Sequence, residues 1–340
     1  MAKLTKCEGI FPSVCVSYTD PSCEEIDYEV YREHLRYLLR YNIGGLVVGG
    51  HAGETECLTM EERLKVLRIA QEEAKGRVPV IGGIISDSTR EAVNQGLIQK
   101  DHGADGVLLC PPAIIGWDPV GGDDLLVEHV KKFDRDVGLP FILFGGPAAE
   151  GTYKQLPPTF KKLALQCEHV AGWKIASRYE DDSFKQCVNA LREAQAKTGR
   201  EVGALLAGDM RLVESLLSGG DGNLNGAENY CVEDNTAIYD LVKRGKIEEA
   251  KAIQARMKPV TDAIRGVPLG RSIAYFHYRY KIAAWMLGRF ARPHMRLPQV
   301  APPMEEFQII YDALIAAGKT PVRKPVEFEP EPWGARHAAV

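Results

Sequence analysis

Lys174 closes an apolar run, Val170-Ala171-Gly172-Trp173. An ammonium carried into a protein interior is desolvated, which lowers its pKa. The neutral amine is the form that attacks a carbonyl, so burial activates a lysine as a nucleophile. The other reading is a lysine that snorkels from a strand end or pairs with Glu54 or Asp209. A second segment, Gly49-Gly50-His51-Ala52-Gly53-Glu54, is rich in glycine. Its backbone can approach a ligand closely, and its N–H groups suit a carboxylate; with no ligand it is a tight turn. His51 is either an acid/base group near neutral pH or a structural loop histidine. Glu54 either joins that chemistry or caps the following helix. Asp221-Gly222-Asn223-Leu224-Asn225 has part of a calcium-loop spacing, but no bidentate Glu ends it, so no metal is expected. No strand leads into G-x-G-x-x-G and there is no P-loop, so no cofactor is expected either.

These residues sit at or near the ends of short runs rich in Val, Ile, Leu and Gly. Candidate strands are Gly9–Val16, Gly44–Val48, Pro79–Ile84, Gly106–Leu109, Pro140–Phe144, Val170–Lys174, Val202–Ala207 and Asp221–Asn225. Such composition fits strands buried on both faces of a parallel sheet. Amphipathic stretches fill the gaps: Tyr28–Tyr41, Met60–Glu73, Thr89–His102, Leu125–Asp136, Thr159–Gln166, Asp182–Lys197 and Met210–Ser218. Thr59 and Glu62 form a capping box before the second. A strand and a helix every roughly 25–35 residues predict a closed (β/α)8 TIM barrel. An open doubly wound sheet is the alternative, but its nucleotide-binding signature is missing. In a barrel, functional residues lie at the C-terminal strand ends. Those ends lead into Gly49–Glu54, Cys110-Pro111-Pro112, Phe144-Gly145-Gly146-Pro147, Lys174, Gly208-Asp209 and Asn225.

Further helices, Tyr230–Lys243, Ile247–Ile264, Arg271–Leu287 and Met304–Ala317, follow without strands between them. The expected organisation is a barrel over 1–226, a C-terminal helical appendage over 227–318 and a Pro/Glu-rich tail over 319–340. The tail either crosses a neighbouring subunit or is mobile. The 340 residues are 45% hydrophobic and 26% charged, with net charge −4, so no basic field exists for nucleic acid or an anionic membrane. No run approaches the roughly 18 apolar residues of a membrane span, and Met1–Lys6 lacks the apolar stretch of a signal peptide. None of the 8 cysteines forms a C-x-x-C pair. Reduced, mostly buried thiols and a cytoplasmic protein are expected.

Taken in order, these segments resemble the dihydrodipicolinate synthase / N-acetylneuraminate lyase superfamily from about Gly9 to Ala317. The marks are Gly50-x-x-Gly53-Glu54, then Leu58-Thr59-x-x-Glu62-Arg63, Pro79-Val80-Ile81-Gly82-Gly83, and Gly103-Ala104-Asp105-Gly106 with Pro111 after it. Gly172-x-Lys174 matches the Schiff-base lysine motif. Gly208-Asp209, Gly219-Gly220-x-Gly222 and Lys281-x-Ala283-Ala284 leading to Arg292-Pro293 follow. The resemblance implies a barrel, usually tetrameric or else dimeric. It implies a lysine that condenses with pyruvate or a longer 2-oxo acid, and a Gly50–Gly53 loop that holds the substrate carboxylate. Gly50, Ala52, Gly53, Phe144 and Asn225 are the substrate-binding candidates; Lys174 and His51 are the catalytic ones.

The departures are as informative. The family's strand-five Tyr-Asn-x-Pro is Phe144-Gly145-Gly146-Pro147 here, and Phe144 has no hydroxyl to relay a proton. Its paired loop threonines are His51 and Ala52, its tyrosine pair after strand four gives way near Pro111-Pro112-Ala113, and its distal-carboxylate arginine aligns with Ala149. True dihydrodipicolinate synthase activity is therefore not expected. Two readings follow. One is a Schiff-base lyase, aldolase or hydro-lyase in which His51 replaces the relay, with Phe144, Ala113 and Ile114 suiting a less polar substrate. The other is a barrel that binds a small carboxylate in a regulatory or scaffold role.

Overall fold

The computed structural model describes residues 4, 7–117, 122–149, 153–177, 182–208, 211–269 and 276–332. Eight parallel strands pair in chain order: β1 (Gly9–Val14), β2 (Leu46–Val48), β3 (Val80–Ile84), β4 (Gly106–Leu109), β5 (Phe141–Gly145), β6 (Val170–Ile175), β7 (Gly203–Leu206) and β8 (Gly222–Asn225). β8 returns to β1, with Pro12 opposite Asn225, and closes the barrel. The expected TIM barrel is the observed one. Nearly every strand residue is buried, as apolar runs flanked on both faces require. Phe11, Val47, Ile81, Leu108, Ile142, Leu205 and Leu224 fill the barrel interior.

Helices α1 (Tyr28–Leu38), α2 (Met60–Ala74), α3 (Thr89–Asp101), α4 (Gly122–Val137), α5 (Pro157–Gln166), α6 (Ser183–Thr198), α7 (Leu212–Leu217) and α8 (Glu228–Lys243) surround the sheet. Local chemistry starts and stops them. The capping box expected at α2 is present: Glu62 N donates to Thr59 Oγ1 at 3.2 Å and Thr59 N to Glu62 Oε2 at 2.9 Å. At the far end of α6, Gly199 takes the left-handed conformation that glycine adopts without a Cβ penalty. Helix α8 is locked to β1 through Asn229, whose Oδ1 accepts from Cys15 N at 3.0 Å and whose Nδ2 donates to Ser13 O at 2.9 Å.

Beyond α8 come α9 (Ile247–Ile264), α10 (Phe276–Met286) and α11 (Met304–Ala316). Residues 271–275 of the expected third helix, and Met210 before α7, lie outside the described residues. The core formed by α8 to α11 reaches down to Cys15 and Ala52 of the barrel, so the appendage packs directly on the mouth. The described part of the tail packs on its own chain. Phe328 meets His294 and Phe307 at 5.0 and 4.6 Å between ring centroids, and Tyr278 OH donates to Glu331 at 2.6 Å. No helix among the described residues is long and apolar enough to cross a membrane.

One buried ion pair joins appendage to barrel. Lys281 Nζ of α10 donates to Glu54 Oε1 at 2.8 Å, with both side chains almost fully buried. Tyr18 OH and Arg296 N donate to the other carboxylate oxygen at 3.0 and 2.8 Å. Removing one partner of such a pair leaves an uncompensated buried charge, at about 3–5 kcal/mol. Lys281→Met should therefore lower unfolding stability by about that amount in chemical denaturation. The double variant Glu54→Gln/Lys281→Met should recover part of the loss, because it removes both charges.

Candidate active site

Lys174 points into the C-terminal mouth of the barrel. It is in register with Phe144 on β5 and Leu205 on β7, and its Nζ lies 4.7 Å from the Phe144 ring centroid. Both strand ends are held from behind. Gln155 Nε2 donates to Phe144 O at 3.1 Å, and Gln155 Oε1 accepts from Trp173 Nε1 at 2.9 Å. Trp173 in turn stacks on Phe160 at 4.4 Å, which explains the tryptophan beside the lysine. Burial pulls the Lys174 amine below its ordinary pKa, against the opposing pull of Cys110, Glu228 and Glu56. Glu54 does not pair with Lys174 and does not cap α2: Lys281 and Tyr18 engage it, and Thr59 is the cap. Asp209, the other partner considered, lies outside the described residues.

After β2 the chain makes two tight turns, His51–Gly53 and Thr55–Cys57, with Glu54 between them in the left-handed region at φ 56°. A non-glycine residue held there is a local strain of a kind that gathers at functional sites; the buried bonds to Glu54 hold it. Gly49 enters this loop at φ 79°, and a Cβ there would sit 2.8 Å from Thr55 Oγ1. A Cβ at Gly83 would come within 1.3 Å of Gly49 O, so the loop rests directly on β3. The hydroxyls of Ser13 and Thr55 flank the loop, buried and without a partner among the described residues. Ala52 turns its side chain toward Gly226 and the appendage core, leaving its backbone to the loop.

His51 brings the rest of the site together. Its Nε2 lies 3.1 Å from Tyr153 OH and 3.6 Å from Glu56 Oε1, and its Nδ1 lies 4.0 Å from Cys110 Sγ. Burial, then the charge of Lys174, then His277, hold His51 well below the usual histidine range. His277, the second residue of α10, stacks on it with centroids 6.1 Å apart and planes 17° apart. Burial and Lys174 lower His277 to about 4. Both rings are therefore neutral at physiological pH. Burial raises the Glu56 carboxyl, although part of its side chain reaches solvent. It also keeps the Tyr153 phenol protonated and pushes the Cys110 thiol up to about 12. Asn225, expected to bind substrate, has both ends of its amide engaged: Nδ2 donates to Gly208 O at 2.9 Å and Oδ1 accepts from Ala227 N at 2.5 Å. Its place is to join β7 to the start of α8.

Tyr153, Glu56 and His277 were not among the candidates. Tyr153 is delivered by a loop that doubles back, with Gly146 N donating to Tyr153 O at 2.9 Å and Gly146 bridged to Lys154. No periodicity announces such a fold-back. Glu56 stood two residues past Glu54, and a carboxylate so close to a candidate base was a usable signal.

A model described as the dihydrodipicolinate synthetase family matches residues 6–314. The 4-hydroxy-tetrahydrodipicolinate synthase of Maridesulfovibrio salexigens is 30% identical over 318 residues, spanning 91% of this chain and 98% of that protein. Among solved structures, a monomeric dihydrodipicolinate synthase variant superposes with TM-score 0.81 at 22% identity, over 93% of this chain and 99% of its own. A prophage protein of E. coli K12 from the dihydrodipicolinic acid synthase family, in complex with pyruvate, superposes with TM-score 0.79 at 22% identity, over 92% and 99%. At those identities the superpositions speak for the fold, and the sequence match over nearly the whole length speaks for descent. The chain belongs to the dihydrodipicolinate synthetase family, a family of lyases that work through a lysine Schiff base.

Proposed function

We propose that this protein is a lyase or aldolase in which Lys174 forms a Schiff base with pyruvate or another 2-oxo acid, and that it is not a 4-hydroxy-tetrahydrodipicolinate synthase. The observation that carries the reading is a desolvated amine at the end of β6, facing the mouth. Among the described residues no carboxylate comes within ion-pairing distance of it. A lysine kept only for structure would be paired, because an unpaired buried ammonium is costly; that also counts against a barrel that merely binds a carboxylate.

The amine adds to the C2 carbonyl, and loss of water from the carbinolamine gives an iminium. The iminium draws electrons from the bonds at C3, so an enamine forms and C–C cleavage, C–C formation or water loss becomes accessible. The Gly50–Gly53 loop receives the carboxylate through backbone N–H groups, with Ser13 and Thr55 hydroxyls beside it. Protons move through His51, and the Tyr153 and Glu56 groups on its Nε2 connect it toward solvent. The departure from the named synthases rests on Phe144 in place of a hydroxyl, His51 and Ala52 in place of threonines, and Ala149 in place of an arginine. A homotetramer or dimer is the assembly this reading expects. Among the described residues all eight cysteines are free and seven are buried, which suits the reducing cytoplasm.

Intact mass after pyruvate and borohydride should rise by one reduced pyruvate in wild type and stay unchanged in Lys174→Ala; an adduct surviving in the variant would refute the assignment. With cyanoborohydride, the initial trapping rate should rise with pH as the amine loses its proton, and level off below the 10.5 of an ordinary lysine. A half-rise at 10.5 or above would mean the amine is not desolvated. In D2O, exchange of the pyruvate methyl protons followed by NMR reports enamine formation. His51→Ala should slow it by about 10²–10⁴-fold, the usual weight of a general acid/base; an unchanged rate would remove His51 from the chemistry.

A further inference from the structure

The mouth around Lys174 is walled by rings. Phe144 lies against Tyr153 at 4.9 Å and against His51 at 5.6 Å. His51 meets Tyr153 at 5.6 Å and stacks on His277 at 6.1 Å, and Phe276 follows His277 at 5.5 Å. Two of these rings, His277 and Phe276, come from α10 in the appendage. Their placement is enforced: Lys281 sits one helical turn after His277, and residues four apart share a helix face. Lys281 binds Glu54 while His277 stacks on His51, so one face of α10 is fastened to one loop.

We propose that this mouth selects 2-oxo acids whose distal group is flat, unsaturated and uncharged, an aryl group above all, and that His277 is a specificity-determining residue for that group. The inference rests on the Lys174 Schiff base, which fixes where the substrate's C2 must lie. With the carboxylate in the Gly50–Gly53 loop, the rest of the molecule extends among the rings. Phe144 then lies under the iminium, and a group conjugated with it continues along ring faces, where offset and edge contacts are favourable. Among the described residues, a second carboxylate placed between these rings would be desolvated without a second counter-charge. Lys174 is the cation that acts on both histidines. Among the described residues, Arg265 lies 5.3 Å from the Phe276 centroid, packs beside Gly208 after β7, and acts on neither. A polyhydroxylated chain would need several hydrogen-bond partners, whereas the Tyr153 hydroxyl and His51 Nε2 already face each other.

The test is competition against pyruvate trapping in the full-length protein, read by intact mass. Competitors are 2-oxo-4-phenylbut-3-enoate, 2-oxo-4-phenylbutanoate, 2-oxoglutarate and a 2-oxo-3-deoxyhexonate. The phenyl compounds should halve trapping at roughly tenfold lower concentration than the other two, the worth of about one good ring contact. Each variant is normalised to its own pyruvate trapping. His277→Phe, which keeps a ring, should keep the preference, and His277→Leu, of similar volume without one, should lose most of it. If wild type traps pyruvate but 2-oxoglutarate competes as well as the phenyl compounds, the inference is overturned while the Schiff base stands. Equal preference in both His277 variants would overturn the role of His277. Absence of any pyruvate adduct in wild type would overturn the Lys174 assignment and this inference together.

Discussion

The Lys281–Glu54 ion pair is the contact on which the site's geometry depends. It spans 2.8 Å in the protein interior and ties the appendage to the loop after β2. Glu54 is held in a left-handed backbone conformation by that pair and by Tyr18 and Arg296. Because Glu54 sits between two tight turns, fixing it fixes His51 on one side and Glu56 on the other. The same helix face that carries Lys281 carries His277 into the mouth. A charge pair that is costly to desolvate thus specifies a geometry, a use attested for buried polar groups in some proteins.

Desolvation is the second theme, and it acts in the same sense on six titratable groups of the mouth. It favours the neutral form of Lys174, of His51 and His277, and of Glu56, Tyr153 and Cys110. A mouth of neutral groups suits a mechanism whose one new charge is an iminium. In the proposed mechanism the neutral amine attacks, His51 handles the proton, and the Phe144 face lies 4.7 Å from the nitrogen that would carry the positive charge. The same proposal leaves the substrate carboxylate to the loop's backbone N–H groups and to the Ser13 and Thr55 hydroxyls beside it.

The barrel was legible because buried parallel strands have no choice but to be apolar. Gly106–Leu109 appears as expected, and the other seven strands shift by at most two residues at either end. The position of Lys174 was legible for the same reason, as a lone charge at the end of such a run. Glu54 was misread because its partner lies 227 residues away in α10, and an ion pair at that separation leaves no local trace. His277 was silent in the same way, and Tyr153 depended on a loop reversal after β5. Asn225 was a substrate-binding candidate from its place at a strand end; its amide bonds two backbone segments, a tie between distant stretches that no local pattern announces. The tail's Pro and Glu content suggested a free or borrowed segment, yet Phe328 and Glu331 find partners on α10, α11 and the segment between them.

The most direct test of the account is to locate the covalent bond. Wild-type protein reduced in the presence of pyruvate would be digested and its peptides mapped by mass spectrometry. The account predicts a single modified lysine, Lys174, on the peptide that carries Trp173. Modification spread over exposed lysines, or confined to another residue, would contradict it.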